Sequence, residues 1–206
     1  MILADLANIT LKVFIKKPFL LKFNFAPMNE KIISSALHTI DLEAESVAGI
    51  RRFIDDGFVK VVQSIHQSKG RVVVSGIGKS AIVGQKIVAT LNSTGTPALF
   101  LHAADAIHGD LGMVQEDDIV IIISKSGESP EIKVLAPLIK SFGNTLVGMI
   151  GKKDSFLART ADLVLDTSVE KEACPNNLAP TTSTTAQMVM GDALAVCLME
   201  INHFTG

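Results

Sequence analysis

The sequence predicts a single α/β domain in which helices cover both faces of a mostly parallel sheet, so that the domain is a three-layer sandwich. Two observations lead to this fold class. Short runs rich in valine, isoleucine and leucine alternate with longer segments whose apolar residues recur at helical spacing. Nearly continuous apolar runs are typical of strands that are buried on both faces, as the strands of parallel sheets are.

The predicted elements follow one another in a regular order. Two helices are predicted between Glu30 and Gln67, with a break at Asp55-Asp56-Gly57. The predicted strands are 71–76, 97–102, 118–124, 145–151 and 162–167. The later helices are predicted at 80–93, at 129–143, around Ser155 to Arg159, and at 179–202.

The composition argues against several classes of function. The 206 residues carry a formal net charge of −2 and contain no Trp and no Tyr, so no nucleic-acid partner is predicted. Cys174 and Cys197 show no metal-binding spacing, which predicts a reduced, cytoplasmic chain. Mean hydropathy is +0.38, and this apolar surplus indicates surface that is buried between subunits.

Residues 1–27 are predicted to form an apolar extension, and residues 28–206 a single domain. Four lysines and Pro18 interrupt the apolar residues of the extension, so it matches neither a signal peptide nor a membrane helix. No membrane partner is therefore predicted. We expect the extension to pack on the domain or on a neighbouring subunit, and a helix to open at Met28.

Polar clusters follow the ends of the predicted strands. They fall at 75–80, 102–110, 124–129 and 169–185. In sheets of this kind ligands bind beyond the carboxyl ends of the strands. The convergence of the clusters therefore predicts one ligand site at that edge.

The segment SKSGES predicts a phosphate site. Its serines are Ser124, Ser126 and Ser129. Short hydroxyl side chains at a helix start can donate to phosphate oxygens while the helix dipole favours the charge. The alternative is that Ser129 only caps its helix and Ser126-Gly127 only turns the chain, which explains one serine of the three. The segment TTSTTA (181–186) repeats the pattern, and helix capping is again its alternative.

The segment GIGKSA predicts an anion-binding turn. A nucleotide P-loop needs a glycine where Val73 stands. A dinucleotide fold needs an acidic residue where the second strand ends in His102, so it is the weaker alternative. The turn itself offers backbone N–H groups around Gly78 and Ser80, with Lys79 as a cation.

Two further clusters carry titratable groups. HAADAIHGD brings His102 and His108 to a loop, where they suit acid–base chemistry near a phosphate, although a structural role is the alternative and the spacing argues poorly for zinc. VEKEACP brings Glu170 and Glu172, and a Glu-Lys-Glu run is ordinarily a solvated face.

Taken together, these segments resemble a known family. The chain is similar, over about residues 30 to 206, to the sugar isomerase (SIS) domain of D-arabinose-5-phosphate isomerases. The similar segments are SGIGKS, STGTPALFLHAADAIHGDLGMV, SKSGESPEI and KEACPNNLAPTTSTTAQMVMGDALAV. The resemblance implies a five-stranded parallel sheet, a homotetramer, and interconversion of D-ribulose 5-phosphate with D-arabinose 5-phosphate. That product feeds synthesis of Kdo, an eight-carbon acid of bacterial outer polysaccharides.

The resemblance also implies roles for individual residues. The catalytic residues predicted are Lys79, Glu131, Glu172 and His108. The substrate-binding residues predicted are Gly78, Ser80, Gly95, Thr96, His102, Ser124, Ser126, Gly127, Ser129 and Glu170. Within this set, Gly95 and Thr96 match a substrate-contacting turn, and His102 matches an inhibitory zinc contact. No resident metal and no cofactor are implied.

The implied reaction moves a proton between C1 and C2 of the sugar through an enediol. It needs a base, a group that stabilises the developing oxyanion, and a carrier for the oxygen-bound proton. We expect Glu172 or Glu131 to be the base, with its pKa raised by apolar surroundings. Lys79 would stabilise the charge, and His108 would open the ring or carry the oxygen proton.

The sequence departs from the family pattern in three respects. Lys125 stands where the family usually has Asn. Neither the usual pair of CBS domains nor the His-Pro-Gly-Gly segment with a further catalytic histidine is among these residues. We therefore expect a chain that stops before that histidine, and His203 lies too early to replace it.

Two other functions compete with this interpretation. One is a non-catalytic sugar-phosphate-binding regulatory module, although residues 1–27 are too short and too apolar for the DNA-binding module that such sensors carry. The other is an isomerase of a different phosphosugar, such as a hexulose or heptulose phosphate.

Overall fold

The computed structural model describes residues 26–205. The chain divides into a segment that ends at Ser35 and a compact unit that begins at Ala36. The sheet and the helices after the first belong to the compact unit. The predicted extension, residues 1–27, lies almost entirely outside the described residues, so its packing stays a prediction.

The helices and strands alternate as the sequence predicts. The helices are α1 (Ala26–Gly49), α2 (Asp56–Gln67), α3 (Lys79–Ser93), α4 (Ala103–Ile107), α5 (Pro130–Ser141), α6 (Phe156–Thr160) and α7 (Thr182–Ile201). The strands are β1 (Val72–Gly76), β2 (Ala98–His102), β3 (Ile119–Ser124), β4 (Leu146–Ile150) and β5 (Leu163–Asp166). Short 3₁₀ turns lie at Ile50–Phe53 and Asp110–Met113. Each predicted strand agrees with an observed one to within one residue at either end.

The five strands form one parallel sheet in the order β2-β1-β3-β4-β5. The register aligns the ends of neighbouring strands, because Gly76 of β1 pairs with both His102 of β2 and Ile123 of β3. All carboxyl ends therefore meet at one edge of the sheet. The predicted α/β fold with a five-stranded parallel sheet is confirmed.

Two apolar clusters, one on each face of the sheet, make up the core. Side chains alternate along a strand, so Ile121 and Ile123 of β3 face one way, toward α2, α3 and α7. Val120 and Ile122 face the other way, toward α4, α5 and α6. Helices thus cover both faces, which confirms the three-layer arrangement.

One predicted loop is a short helix instead. The segment between His102 and His108 forms α4, whose Ala103 and Ala106 are 0% and 2% exposed. These small residues are three positions apart and therefore share one helical face, which packs on the apolar cluster beside β2. The prediction that both histidines lie in one loop is wrong, since they flank this helix.

The closing helix α7 belongs to the core. Among the described helices it alone is long and apolar enough to cross a membrane by length and composition. Its residues Met190, Leu194 and Leu198 are nevertheless buried in the first apolar cluster. It also approaches α3 closely, because a Cβ at Gly191 would lie 2.4 Å from Ile87 Cδ1. Burial inside the protein therefore accounts for the apolar character of α7.

Candidate active site

A cavity of about 310 Å³ opens at the carboxyl edge of the sheet. Its lining consists of Ile77, Lys79, Ser80, Ile123, Ser124, Lys125, Ser126, Ser129, Pro180, Ser183, Thr184 and Gln187. Five of the predicted site residues are thus brought together, from segments that the sequence separates by up to fifty positions. They are Lys79, Ser80, Ser124, Ser126 and Ser129.

Three helix starts converge on this cavity. Lys79 is the first residue of α3, Ser129 immediately precedes α5, and Ser183 lies in the first turn of α7. The N–H groups at a helix start lack partners within the helix, and the dipole places partial positive charge there. At α7, Glu172 already accepts the N–H groups of Thr181 and Ser183. Together with the Lys79 ammonium, this arrangement favours an anion.

The serine hydroxyls of the loop after β3 retain protons to donate. Ser124 Oγ accepts the backbone N–H of Gly127 at 3.0 Å, and Ser126 Oγ accepts that of Glu128 at 3.2 Å. Accepting leaves each O–H free for another acceptor. Ser129 occupies the N-cap position of α5, yet its side chain makes no capping hydrogen bond. Helix capping therefore explains none of the three hydroxyls.

The same loop depends on a glycine for its shape. Gly127 has a φ of 63°, and a Cβ there would lie 2.3 Å from Ser155 Oγ. Ser155 is buried and caps α6 by accepting the N–H of Ala158. Gly127 does not line the cavity itself. It allows the loop to pack against α6, which fixes the serines beside it.

The start of α7 adds Ser183, which lies in the TTSTTA segment singled out from the sequence, and Gln187, which the sequence analysis did not single out. Ser183 is 1% exposed, and its hydroxyl has no hydrogen-bond partner among the described residues. Gln187 is also buried, and its Oε1 lies 3.4 Å from Ser80 Oγ. Gln187 follows Ser183 by four positions, so both lie on the helix face that lines the cavity. This i, i+4 spacing was the signal available in the sequence.

Glu172 is the most constrained carboxylate near the cavity. Its side chain is fully buried, which makes the interpretation of the Glu-Lys-Glu run as a solvated face wrong for this residue. Oε2 accepts the backbone N–H groups of Thr181 at 2.7 Å and Ser183 at 3.2 Å, and the Thr181 hydroxyl at 3.1 Å. Oε1 lies 2.5 Å from Nζ of Lys125. Glu172 therefore caps the start of α7, although it belongs to the loop that precedes this helix.

These contacts set the charge state of Glu172. Burial by itself would raise the pKa of the carboxyl group. The ion pair with Lys125 and the hydrogen bonds from the start of α7 outweigh burial and lower this pKa from 4.5 to about 2. The expectation of a raised pKa is therefore wrong for Glu172, which is a fixed anion at neutral pH.

This depressed pKa predicts a pH-dependent contribution to stability. A carboxylate whose pKa is lower in the folded state stabilises the protein above its unfolded pKa, and the contribution is lost as pH falls. Glu172→Gln should therefore lower the free energy of unfolding at pH 7 by up to roughly 3 kcal/mol. Urea unfolding of both proteins from pH 7 to 2.5 should show this gap closing below about pH 4.5.

Glu170→Gln removes an exposed carboxylate two residues earlier and controls for loss of charge alone. A gap between wild type and Glu172→Gln that stays constant from pH 7 to 2.5 would contradict this account of the Glu172 contacts.

Two further predicted catalytic residues, Glu131 and His108, and the predicted substrate contact His102 lie near the same edge but outside the cavity lining. Glu131 is half-buried in the first turn of α5, and no ion pair with a described residue holds its carboxylate. His102 ends β2, and its Nδ1 lies 3.8 Å from Asp105 Oδ2. His108 is exposed at the end of α4.

Three predicted substrate contacts are not brought to this cavity. Gly95 and Thr96 precede β2 and lie at the amino edge of the sheet, opposite the cavity. A Cβ at Gly95 would lie 2.3 Å from the ring of Phe204, so this turn is packed against the C-terminal residues. Glu170 lines a second cavity of about 150 Å³ together with Arg52. Within the chain these residues do not share a site with Lys79.

The described residues contain no group of three or more His, Cys, Asp or Glu side chains placed to hold a metal ion. The zinc contact implied for His102 stays a prediction.

A donor-lined cavity at the carboxyl edge of a parallel sheet is typical of α/β proteins that bind small anionic ligands. The particular family is shown by sequence. The SIS domain model matches residues 64–197, more than half of the chain, so the chain belongs to the SIS domain family. The resemblance noted from the sequence is thereby confirmed.

Relatives within this family are arabinose 5-phosphate isomerases. The chain is 52% identical over 177 residues to arabinose 5-phosphate isomerase KdsD of Pseudomonas aeruginosa, covering 86% of the chain and 54% of the relative. It is 45% identical over 174 residues to arabinose 5-phosphate isomerase KpsF of Escherichia coli O6:H1, covering 84% and 53%. The chain thus spans about half the length of these curated relatives.

A solved structure agrees with this relationship. The structure of an Escherichia coli CFT073 protein in complex with arabinose 5-phosphate matches with a TM-score of 0.80 and 39% identity, covering 86% of this chain and 94% of that one.

Proposed function

We propose that this chain is an aldose–ketose isomerase that interconverts D-ribulose 5-phosphate and D-arabinose 5-phosphate through an enediol. The observation that carries the proposal is the cavity at the three helix starts, whose hydroxyl, N–H and ammonium donors suit a phosphate ester. The names of the relatives and the sugar phosphate bound in the solved structure favour arabinose 5-phosphate as the sugar. The product would enter Kdo biosynthesis.

In this proposal the phosphate is the anchor of the substrate. Ser124, Ser126 and Ser129 donate from one side and Ser183 from the other, with Lys79 as the nearby cation. Anchoring a remote, unreactive group in this way positions the sugar carbons for proton transfer.

Glu172 and Glu131 have different roles in this proposal. Glu172 is a fixed anion whose oxygens are already engaged, so a proton taken from carbon would have to displace Lys125. Glu131 has no such ion pair among the described residues and stands at the positive end of α5. We assign Glu131 as the base and Glu172 as the residue that holds the start of α7, with Lys79 stabilising the enediolate. Proton transfer of this kind requires no cofactor.

The other predicted contacts fit an assembly of several subunits. Gly95, Thr96 and Glu170 do not reach the cavity within one subunit, so any contact they make with substrate requires a second copy of the chain. Leu37 and Ile40 on α1 are 56% and 61% exposed, which leaves apolar surface available for such an assembly. We propose a homotetramer in which His102 and His108, at the end of β2 and of α4, complete the sugar site.

A cytoplasmic location follows from the same proposal, since the free cysteines Cys174 and Cys197 are compatible with a reducing compartment.

The test is direct conversion of substrate. The purified chain is incubated with D-ribulose 5-phosphate, and the products are separated and identified, with D-arabinose 5-phosphate as the expected one. Binding of the sugar phosphate without any conversion would favour the regulatory module, whereas turnover of only a hexulose or heptulose phosphate would favour a different isomerase. Either result would overturn the proposed function.

A further inference from the structure

Lys125 joins the cavity to Glu172. It is the second residue of the loop SKSGES, it lines the cavity, and its Nζ lies 2.5 Å from Glu172 Oε1. The two side chains differ in exposure, since that of Lys125 is 43% exposed and that of Glu172 is fully buried. The backbone of Lys125 is fixed, because its carbonyl accepts the N–H of Gly151 at 3.1 Å. The ammonium can therefore move while the loop stays in place.

The position of Glu172 creates an electrostatic problem for an anionic ligand. A buried carboxylate beside a phosphate repels it, and the repulsion is stronger away from bulk water. Among the described residues, the donors at the start of α7 all serve Oε2, whereas Oε1 has the Lys125 ammonium as its partner. Lys125 is therefore the group that separates this carboxylate from the cavity.

We propose that Lys125 exchanges partners, pairing with Glu172 when the cavity is empty and with the phosphate of the ligand when it is filled. This inference rests on the proposed anion site and extends it. A lysine suits the role, since its ammonium is a compact charge on a flexible stem. The predicted consequence is selectivity for phosphorylated over uncharged sugars.

The test measures binding of inorganic phosphate by isothermal titration calorimetry at low ionic strength. Lys125→Met keeps the apolar stem and removes the charge, and should weaken binding roughly tenfold or more. Lys125→Arg retains the charge and should retain most of the affinity. Lys140→Met is the matched control, because Lys140 has a similar exposure of 38% and pairs with Asp162 at the other edge of the sheet.

The partner exchange also predicts how the loss of the Glu172 charge affects phosphate binding. Glu172→Gln should tighten phosphate binding several-fold, because it releases Lys125 and removes the repelling charge. The weakening caused by Lys125→Met should then be larger in the Glu172→Gln background than in wild type. A lysine that merely stabilises the fold would produce neither effect. Circular dichroism shows whether Glu172→Gln keeps its fold. If it does not fold, the comparison of Lys125→Met with Lys140→Met still tests the partner exchange.

The outcomes separate this inference from the proposed function. If Lys125→Met binds phosphate as well as Lys140→Met does, or if folded Glu172→Gln binds it no more tightly than wild type, the exchange is wrong even if isomerisation is observed. If ribulose 5-phosphate is not converted but the phosphate affinities follow the predicted order, the isomerase proposal fails and the role of Lys125 stands. A wild-type protein that binds no phosphate would overturn both.

Discussion

Glu131→Gln is expected to lower the turnover of D-ribulose 5-phosphate by ~10²-fold or more, because the amide keeps the size of the carboxylate but cannot accept a proton from carbon. Exchange of the substrate C–H proton with solvent should fall with turnover. Initial rates give the first quantity, and mass spectrometry of substrate recovered from heavy water gives the second. Because Glu131 has no ion pair among the described residues, its replacement leaves no cation unpaired there.

Glu172→Gln is the matched comparison for that measurement. Whatever its effect on turnover, the exchanged fraction per turnover should stay near that of wild type. The opposite pattern, with exchange lost in Glu172→Gln and kept in Glu131→Gln, would make Glu172 the base. In that case the contacts that lower the pKa of Glu172 must rearrange when substrate binds.

Lys79→Met should have the second large effect. Lys79 is the exposed first residue of α3 and lines the cavity, so its ammonium can approach the oxygen on which negative charge develops. Loss of one such stabilising group lowers turnover by ~10²–10³-fold in comparable sites. Steady-state kinetics should show a loss in kcat that exceeds the change in KM.

The control for Lys79→Met is again Lys140→Met, which removes a lysine far from the cavity. A Lys79→Met protein that keeps wild-type kcat and shows only a raised KM would limit Lys79 to holding the phosphate. The assignment of an enediolate-stabilising role would then be wrong.

Most of the fold could be predicted from the sequence because its strands are nearly continuous apolar runs. Val72 to Gly76 and Ile119 to Ser124 are buried along their whole length, so a periodicity of two was neither present nor needed to recognise them. The position of the cavity followed from the same pattern, because parallel strands place their following loops at one edge. Both inferences depend on local sequence alone.

The role of Glu172 could not be predicted in this way. A Glu-Lys-Glu run looks solvated, and Glu170 and Lys171 are indeed exposed. What buries Glu172 is the return of the chain at Thr181, which brings unpaired N–H groups to a carboxylate nine residues earlier. The contact with Lys125 spans an even longer separation. Such contacts exist only in the assembled fold, and no local pattern encodes them.

Both the core and the cavity depend on α7, which is among the last parts of the chain to be synthesised. A ribosome that has completed the sheet has not yet delivered α7, so Ile87 and the apolar face around it are still open to water. Glu172 at that stage lacks the N–H groups that will hold it. The nascent chain therefore exposes an apolar, aggregation-prone surface until its last described helix emerges. Chaperones recognise intermediates of this kind. Release of the chain before residue 182 would leave it without a closed core and without the side of the cavity that α7 forms.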